Sequence, residues 1–204
     1  EHSPPAPNNP YGRTKLEAEM VLRAWCESDD RRSVVIVRPT VVFGSGNRGN
    51  VYNLARQIAS KRFVMIGTGS NYKSMAYVDN LVQFLMRISE LSGGTRTLNY
   101  IDKPDMRTRE IVAEIKKALG HKPPTGLFVP KGAAILAAKA IDVLSSVLDR
   151  TFPVSEIRIR KFCANSQFSR DWSDIPDFRP ARSLSDGLHE TIRSEFSQSR
   201  DRTG

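Results

Sequence analysis

Apolar residues in the first part of the chain recur at helical spacing and then as an unbroken run. From Tyr11 to about Cys26, Leu16, Met20 and Ala24 fall on one line, and Val21 and Trp25 widen it. That period predicts an amphipathic helix. Asn9 is suited to cap its free amides, and Pro10 to take the first helical position, where a missing N–H costs nothing. Glu19 and Arg23 read as an exposed pair one turn apart. After the polar connection Asp29-Asp30-Arg31-Arg32, Ser33-Val-Val-Ile-Val37 is a β-branched run. It predicts a strand covered on both faces, as in a parallel sheet. Arg38-Pro39 is expected to end it, since proline cannot continue the ladder. A helix followed by a buried strand is the repeating unit of an α/β fold.

The same reading continues along the chain. Val51 to Lys61 is a helix with Leu54 and Ile58 one turn apart, and Phe63-Val-Met-Ile66 is a short strand closed by Gly67-Thr-Gly69. Tyr77-Val78-Asp79-Asn80 opens an amphipathic helix bearing Leu81, Phe84, Leu85 and Ile88, with Asp79 read as the anchor of its start and Gly93-Gly94 as its end. Thr97 to Ile101 is a further strand. Thr108 is placed to cap a helix running to Leu119, which Gly120 terminates. The most apolar stretch, Gly132 to Leu148, contains Lys139 and Asp142, so it reads as a buried or amphipathic helix and not as a membrane span. Ser197 to Gly204 reads as a frayed tail. There is no internal repeat.

Composition narrows the function classes. The 204 residues are 39% apolar and 26% charged, ordinary for a soluble globular protein with one good-sized core or two small ones. Cys26 and Cys163 are isolated, without the spacing of a zinc site or of a disulfide framework, so no metal is expected and a reducing cytoplasm is the expected compartment. The net charge of +9 is spread along the chain, with one tighter group at Arg158-Ile-Arg160-Lys161. No nucleic-acid module accompanies it, so a phosphate-bearing small substrate is preferred to nucleic acid. His2, His121 and His189 lack companion ligands and are expected to face solvent. Trp25 and Trp172 are read as packing groups.

Two stretches carry candidate chemistry. Tyr11 and Lys15 stand four residues apart, one above the other on a helix. An ammonium beside a phenol favours the phenolate, which suits the tyrosine to take or give a proton near neutral pH. Gly44-Ser-Gly46-Asn-Arg-Gly49 spells the dinucleotide fingerprint Gly-x-Gly-x-x-Gly after a strand. The fingerprint also needs an acidic residue about 20 positions on to hold the ribose. From Asn50 to Val78 there is neither Asp nor Glu, so the glycines read as a ligand-facing loop and the match as a decoy.

Four motifs in register point further. Tyr11-Gly-Arg-Thr-Lys15, Val37-Arg38-Pro39-Thr-Val-Val-Phe-Gly44, Ile66-Gly67-x-Gly69 with Lys73-Ser-Met-Ala-Tyr77-Val78-Asp79-Asn80, and Phe178-Arg-Pro180 with Leu184-Ser-Asp-Gly187-Leu188 and Thr191 follow one another in order. Together they resemble the extended short-chain dehydrogenase/reductases, in particular the NAD-dependent nucleoside-diphosphate-sugar epimerase/dehydratase branch, from Glu1 to about Phe196. In that family a Rossmann half with a Gly-rich turn and a catalytic Ser or Thr precede the tyrosine. The chain is therefore expected to correspond to the C-terminal portion, with little activity alone.

The resemblance implies an α/β fold: the C-terminal part of a Rossmann-like doubly wound parallel sheet plus a small mixed α/β substrate-binding domain. Residues 1–101 would belong to the NAD(P)-binding domain, with about 44–75 as a substrate-facing insertion, 102–196 mainly to the substrate domain, and 197–204 to a tail. It implies that Tyr11 is the acid/base and that Lys15 holds the nicotinamide ribose and tunes the tyrosine. Pro39, Thr40 and Val41 would lie against the nicotinamide end of NAD or NADP. Asn50, Phe63 and Val64 would line the sugar nucleotide. Lys73 stands where many relatives carry an arginine near the phosphates, and Arg158 and Arg160 are further candidates for the diphosphate. The implied reaction is epimerisation or 4-keto reduction at C4 of a nucleoside-diphosphate sugar, with a UDP-linked amino or 6-deoxy sugar for polysaccharide preferred. A hydroxysteroid- or flavonol-type reductase and a non-catalytic NAD-sensing domain are the alternatives. Homodimerisation through the helix beginning at Tyr11 is also implied.

Overall fold

The computed structural model describes residues 6–7, 9–121, 128–137 and 156–196. The expected tail lies outside them, as does most of the apolar stretch Gly132 to Leu148, of which residues 131–137 are helical. Helix α1 (Pro10–Glu27) starts as its sequence requires, with Asn9 Oδ1 accepting from Gly12 N at 2.7 Å. It leads into β1 (Ser33–Pro39), and β1 pairs in parallel with β5 (Gly94–Tyr100), from Ser33 opposite Gly94 to Pro39 opposite Tyr100. The strand thus keeps Arg38 and Pro39. A proline at the last position of a strand removes one donor without breaking the register.

Side chains alternate across this pair. Ile36 and Thr97 share the face next to α1, where Arg23 Nη2 donates to Thr97 Oγ1. On the opposite face Val35, Val37, Leu98 and Tyr100 pack with Leu81, Phe84 and Ile88 of α3 (Val78–Ile88). Helices on both faces of parallel strands are the expected α/β arrangement.

A second sheet holds β2 (Val41–Phe43), β4 (Tyr72–Tyr77) and β6 (Asp102–Arg107), with β4 central, parallel to β2 and antiparallel to β6. Its core joins Phe43, Met75 and Tyr77 to Val51, Ala55 and Ile58 of α2 (Asn50–Ala59), to Ile111, Val112 and Ile115 of α4 (Thr108–Ala118), and to Leu184, Leu188 and Ile192 of α6 (Leu184–Phe196). Sequence patterning misses β4 because Ser74 through Tyr77 are all buried, so nothing alternates. The buried Ser74 hydroxyl donates to Asp105 Oδ1 at 2.7 Å and accepts from Phe168 N at 3.0 Å. A third pair joins β3 (Met65–Ile66) to β7 (Phe128–Val129) in parallel. The strand expected from Phe63 is therefore shorter, with Phe63 and Val64 preceding it. Helix α5 (Glu156–Cys163) contributes Ile159 and Cys163 to the small cluster beside this pair, with Ala134, Ile135, Ile66 and Val129.

The elements are locked by buried polar groups. Asp102, 2% exposed, accepts from Tyr77 N at 2.7 Å, Tyr100 OH at 2.8 Å and Asn80 Nδ2 at 3.1 Å. Burial raises its pKa above the usual aspartate value, and the three donors offset part of that rise. Asn80 also donates to Arg182 O at 2.8 Å and accepts from Arg182 N at 3.1 Å, which fixes the approach to α6. Asp79, expected to anchor α3, instead accepts from Tyr77 OH at 2.9 Å, and α3 has no side-chain cap. Thr108 is likewise not a cap. It is the first helical residue, and its N–H and hydroxyl both donate to Asn71 O while Glu110 accepts from Arg107 N. Gly187 is required because a Cβ there would lie 2.7 Å from the buried Tyr77 ring. His189 does not face open solvent: its Nε2 is 2.6 Å from Glu114 Oε2, joining α6 to α4.

Asn80→Ala is expected to lower stability by about 3 kcal/mol, because it strips partners from Asp102 and from both backbone groups of Arg182. Denaturant unfolding measures the loss, and a change below about 0.5 kcal/mol would remove this node from the account of the fold.

Candidate active site

The site is organised from α1. Its direction opposes that of β1, so the N-terminal turns stand at the C-terminal end of the strand pair. That end of a parallel sheet is where α/β folds hold ligands. Tyr11 is 72% exposed, and the Lys15 ammonium lies over its ring, 5.5 Å from the centroid. The sequence spacing therefore produces the stacked pair it predicts. Among the described residues, neither the phenol oxygen nor the ammonium is taken up by another hydrogen bond, so both are open to a ligand.

Pro39, Thr40 and Val41 run from the end of β1 into β2. Thr40 N donates to Tyr100 O at 3.1 Å, and Tyr100 is in turn bonded to Asp102. The segment is thus fixed to the buried node. One contact ties it to α1: Arg38 donates from Nε to Glu19 Oε1 at 2.8 Å and from Nη2 to Glu19 Oε2 at 2.5 Å. Glu19 therefore does not pair with Arg23 as its spacing suggested; Arg23 turns to Thr97. Sequence reading missed Glu19 and Arg38 as partners. The available signal was that Glu19 continues the Tyr11–Lys15 stripe by one more turn.

Four other candidates gather around α5. The Phe63 ring meets Phe162 edge-on, with centroids 6.3 Å apart. Lys73 Nζ donates to Lys161 O at 3.0 Å and Ala164 O at 2.7 Å, capping the C-terminal end of α5. Burial draws its pKa below the usual lysine value. Lys73 thus serves the helix end here, which differs from an arginine fork directed at phosphate. Arg158 is exposed on the same helix, and Arg160 Nε donates to Glu156 Oε1 at 2.6 Å. Asn50, the first residue of α2, and Val64, next to Phe63, are both exposed. The Gly44–Gly49 loop is engaged with the protein itself. Gly46 N donates to Glu195 Oε1 at 2.6 Å, and Ser45 Oγ lies 2.6 Å from Ser194 Oγ. Its following helix α2 has no acidic residue, in keeping with the decoy reading.

Of the packing tryptophans, Trp172 stacks within Phe84, Tyr100 and Phe178. Trp25 remains 48% exposed under Arg32, a surface position. Among the described residues there is no group of three His, Cys, Asp or Glu able to hold a metal, and no helix long and apolar enough to cross a membrane.

Comparison with known proteins bears on the family and the fold. The family model described as NAD dependent epimerase/dehydratase family matches residues 1–99. An N-acetyl-alpha-D-glucosaminyl-diphospho-ditrans,octacis-undecaprenol 4-epimerase of Escherichia coli O157:H7 is 42% identical over 198 residues, covering 96% of this chain and 60% of that protein. A UDP-glucose 4-epimerase of Vibrio cholerae is 29% identical, covering 97% of this chain and 56% of that protein. The chain thus spans somewhat over half the length of the curated relatives it matches. Among solved structures, a UDP-N-acetylglucosamine 4-epimerase from Bacillus cereus superposes with a TM-score of 0.64 at 13% identity, covering 92% of this chain and 56% of that one. A UDP-glucuronic acid 4-epimerase from the same organism, in complex with NAD, gives 0.62 at 18% identity, covering 95% and 54%. At these identities the superpositions show a shared fold.

The Glu19–Arg38 pair sets a pH dependence. The hydrogen bond from Arg38 holds the Glu19 carboxyl below the usual glutamate value, despite the opposing effect of burial. A depressed carboxyl pKa contributes stability that is present above the unfolded value, about 4.3, and is lost as pH falls through the lower folded value. Thermal melts between pH 3 and 6 should therefore show a shallower acid loss for Glu19→Gln than for the parent. Parallel acid limbs would contradict the pairing.

Proposed function

We propose that this chain, whose residues 1–99 match the NAD dependent epimerase/dehydratase family, carries the acid/base half of an NAD(P)-dependent C4 epimerase acting on a diphosphate-linked N-acetylhexosamine. The observation that carries this reading is the solvent-open Lys15–Tyr11 pair at the C-terminal end of β1. The likeness to the Escherichia coli undecaprenol-linked epimerase favours a polyprenol diphosphate as the carrier over a nucleotide.

The residues present fit the nicotinamide end of the cofactor. Tyr11 and Lys15 expose a phenol and an ammonium at the start of α1, Pro39–Val41 runs on from the end of β1, and the Gly44–Gly49 loop is bonded to Glu195 and Ser194. NAD, when bound, supplies the acceptor and donor of hydride at C4. Tyr11, as phenolate, takes the proton of the 4-hydroxyl as the carbinol becomes a ketone, and returns it when the ketone is reduced. Lys15 donates toward the ribose hydroxyls and holds positive charge beside the phenol oxygen while the proton is away. Epimerisation then requires the 4-keto sugar to present its other face before reduction. Arg158 and the α5 region supply positive charge for the diphosphate, with Phe63 alongside. The exposed Met20, Val21 and Trp25 of α1 support association of two copies through that helix.

The complete gene product, incubated with NAD and either N-acetylglucosaminyl-diphospho-polyprenol or UDP-N-acetylglucosamine, should convert the first to its 4-epimer faster than the second. Tyr11→Phe should lower turnover by about 10²–10⁴-fold with substrate still bound. Undiminished turnover in Tyr11→Phe would refute the acid/base role, and faster turnover of the UDP-sugar would refute the carrier.

A further inference from the structure

We infer that Glu19 and Arg38 are positioning residues for the acid/base pair, and that Arg38 acts in part by withholding Glu19 from Lys15. The inference rests on the reading of Tyr11 and Lys15 given above. Tyr11, Lys15 and Glu19 occupy successive turns of one stripe on α1, each four residues from the next. Lys15 consequently has two neighbours able to attract its ammonium: the π face of Tyr11 on one side and the Glu19 carboxylate on the other. A carboxylate is the stronger competitor, and a helical Lys–Glu pair at this spacing is favourable when the glutamate is free.

Glu19 is not free. Both of its oxygens are taken by the Arg38 fork, at 2.8 and 2.5 Å, in a half-buried contact with the two side chains 17% and 28% exposed. Bidentate geometry satisfies the carboxylate with a partner whose charge is permanent. Lys15 is accordingly left over the Tyr11 ring. The other charged groups along this part of α1 do not replace Arg38. Arg13 and Glu17 are exposed, and Arg23, which also attracts Glu19, is bonded to Thr97.

The pair has a mechanical consequence too. The only fully buried residue of α1 is Cys26, near its far end. Toward the N-terminus, Leu16 and Glu19 are the partly buried side chains after the capping turn, so the Glu19–Arg38 contact is the first charged tie between the Tyr11 turn and the sheet. Arg38 directly precedes Pro39-Thr40-Val41. One fork therefore sets α1 against the segment placed at the nicotinamide end, and a displacement of about 1 Å at that level is enough to cost on the order of a hundredfold in rate.

The test compares Arg38→Gln, Arg38→Lys, and Arg38→Gln combined with Glu19→Gln in the complete gene product, with thermal melts verifying that each is folded. Two readouts are followed. The first needs no substrate or cofactor: the ring-current shift of the Lys15 ε-methylene signal in ¹³C-lysine-labelled protein, assigned by its disappearance in Lys15→Arg and by its loss of shielding in Tyr11→Leu, which removes the ring. The second is the pH dependence of turnover. Arg38→Gln should move Lys15 off the ring, lower kcat by about ten- to a hundredfold, and shift half-maximal turnover to higher pH. The double variant should return the Lys15 signal and the pH of half-maximal turnover toward the parent while kcat stays reduced, because the competitor is gone but the clamp is not restored. Arg38→Lys should keep the pH profile and lose part of kcat. An unshifted Lys15 signal in Arg38→Gln, or a double variant no closer to the parent than the single one, would overturn the inference. Either result is separable from failure of the acid/base reading, which shows instead as full turnover in Tyr11→Phe.

Discussion

A single buried carboxylate, Asp102, holds the architecture on which the site depends. An ionised group with so little exposure is tolerated only when its lone pairs are filled. Tyr77 N, Tyr100 OH and Asn80 Nδ2 fill them, two from the β4–α3 junction and one from the end of β5. Tyr77 lies at the passage from β4 into α3. Tyr100 ends β5, which pairs with β1. Asn80 reaches Arg182 and so sets the entry to α6. The same Tyr100 accepts from Thr40 through its carbonyl, so the Pro39–Val41 segment that runs on from β1 is registered on this carboxylate. Both of these sheets and the C-terminal helix thereby share one origin.

From that origin the site follows in two steps. Thr40 and Pro39 are fixed relative to the sheet by Tyr100, and α1 is fixed relative to Arg38 by Glu19. Tyr11 and Lys15 themselves are both exposed, as the role proposed for them requires. Their placement is borrowed from contacts two turns away. The division is a general one: chemistry on an exposed helix end, precision from a polar lock behind it.

Much of this was legible in the residues. Local period gave α1, α2 and α4 to within a residue or two, because each carries an apolar stripe with a Gly, Asn or Pro boundary, and it gave the start of α3, which ends at Ile88 and not at Gly93-Gly94. The β-branched run at Ser33–Val37 marked β1, and the Tyr11–Lys15 spacing marked the face the two residues share. The second sheet was not legible. Its central strand β4 buries Ser74 and the aromatic Tyr77 without alternation, and its edge strand β6 reads as Asp-Lys-Pro-Asp-Met-Arg, a polar run whose acidic groups are satisfied partly by residues far along the chain. Lys103 and Gln167 donate to Asp105, for example, across 62 residues in the second case. Long-range polar pairing leaves no periodic trace. For the same reason Glu19 was assigned to its helical neighbour Arg23, and His189 to solvent, when their partners Arg38 and Glu114 lie on other elements.

The central claim is that the C4 hydrogen leaves as hydride and comes back to the same carbon while Tyr11 manages only the hydroxyl proton. It is tested most directly with substrate carrying deuterium at C4, converted by the complete gene product in ordinary water with NAD bound. The account predicts that the 4-epimer retains the deuterium at C4, as mass spectrometry and proton NMR would show. Replacement of that deuterium by solvent hydrogen would mean that the carbon is deprotonated rather than oxidised, and would contradict it.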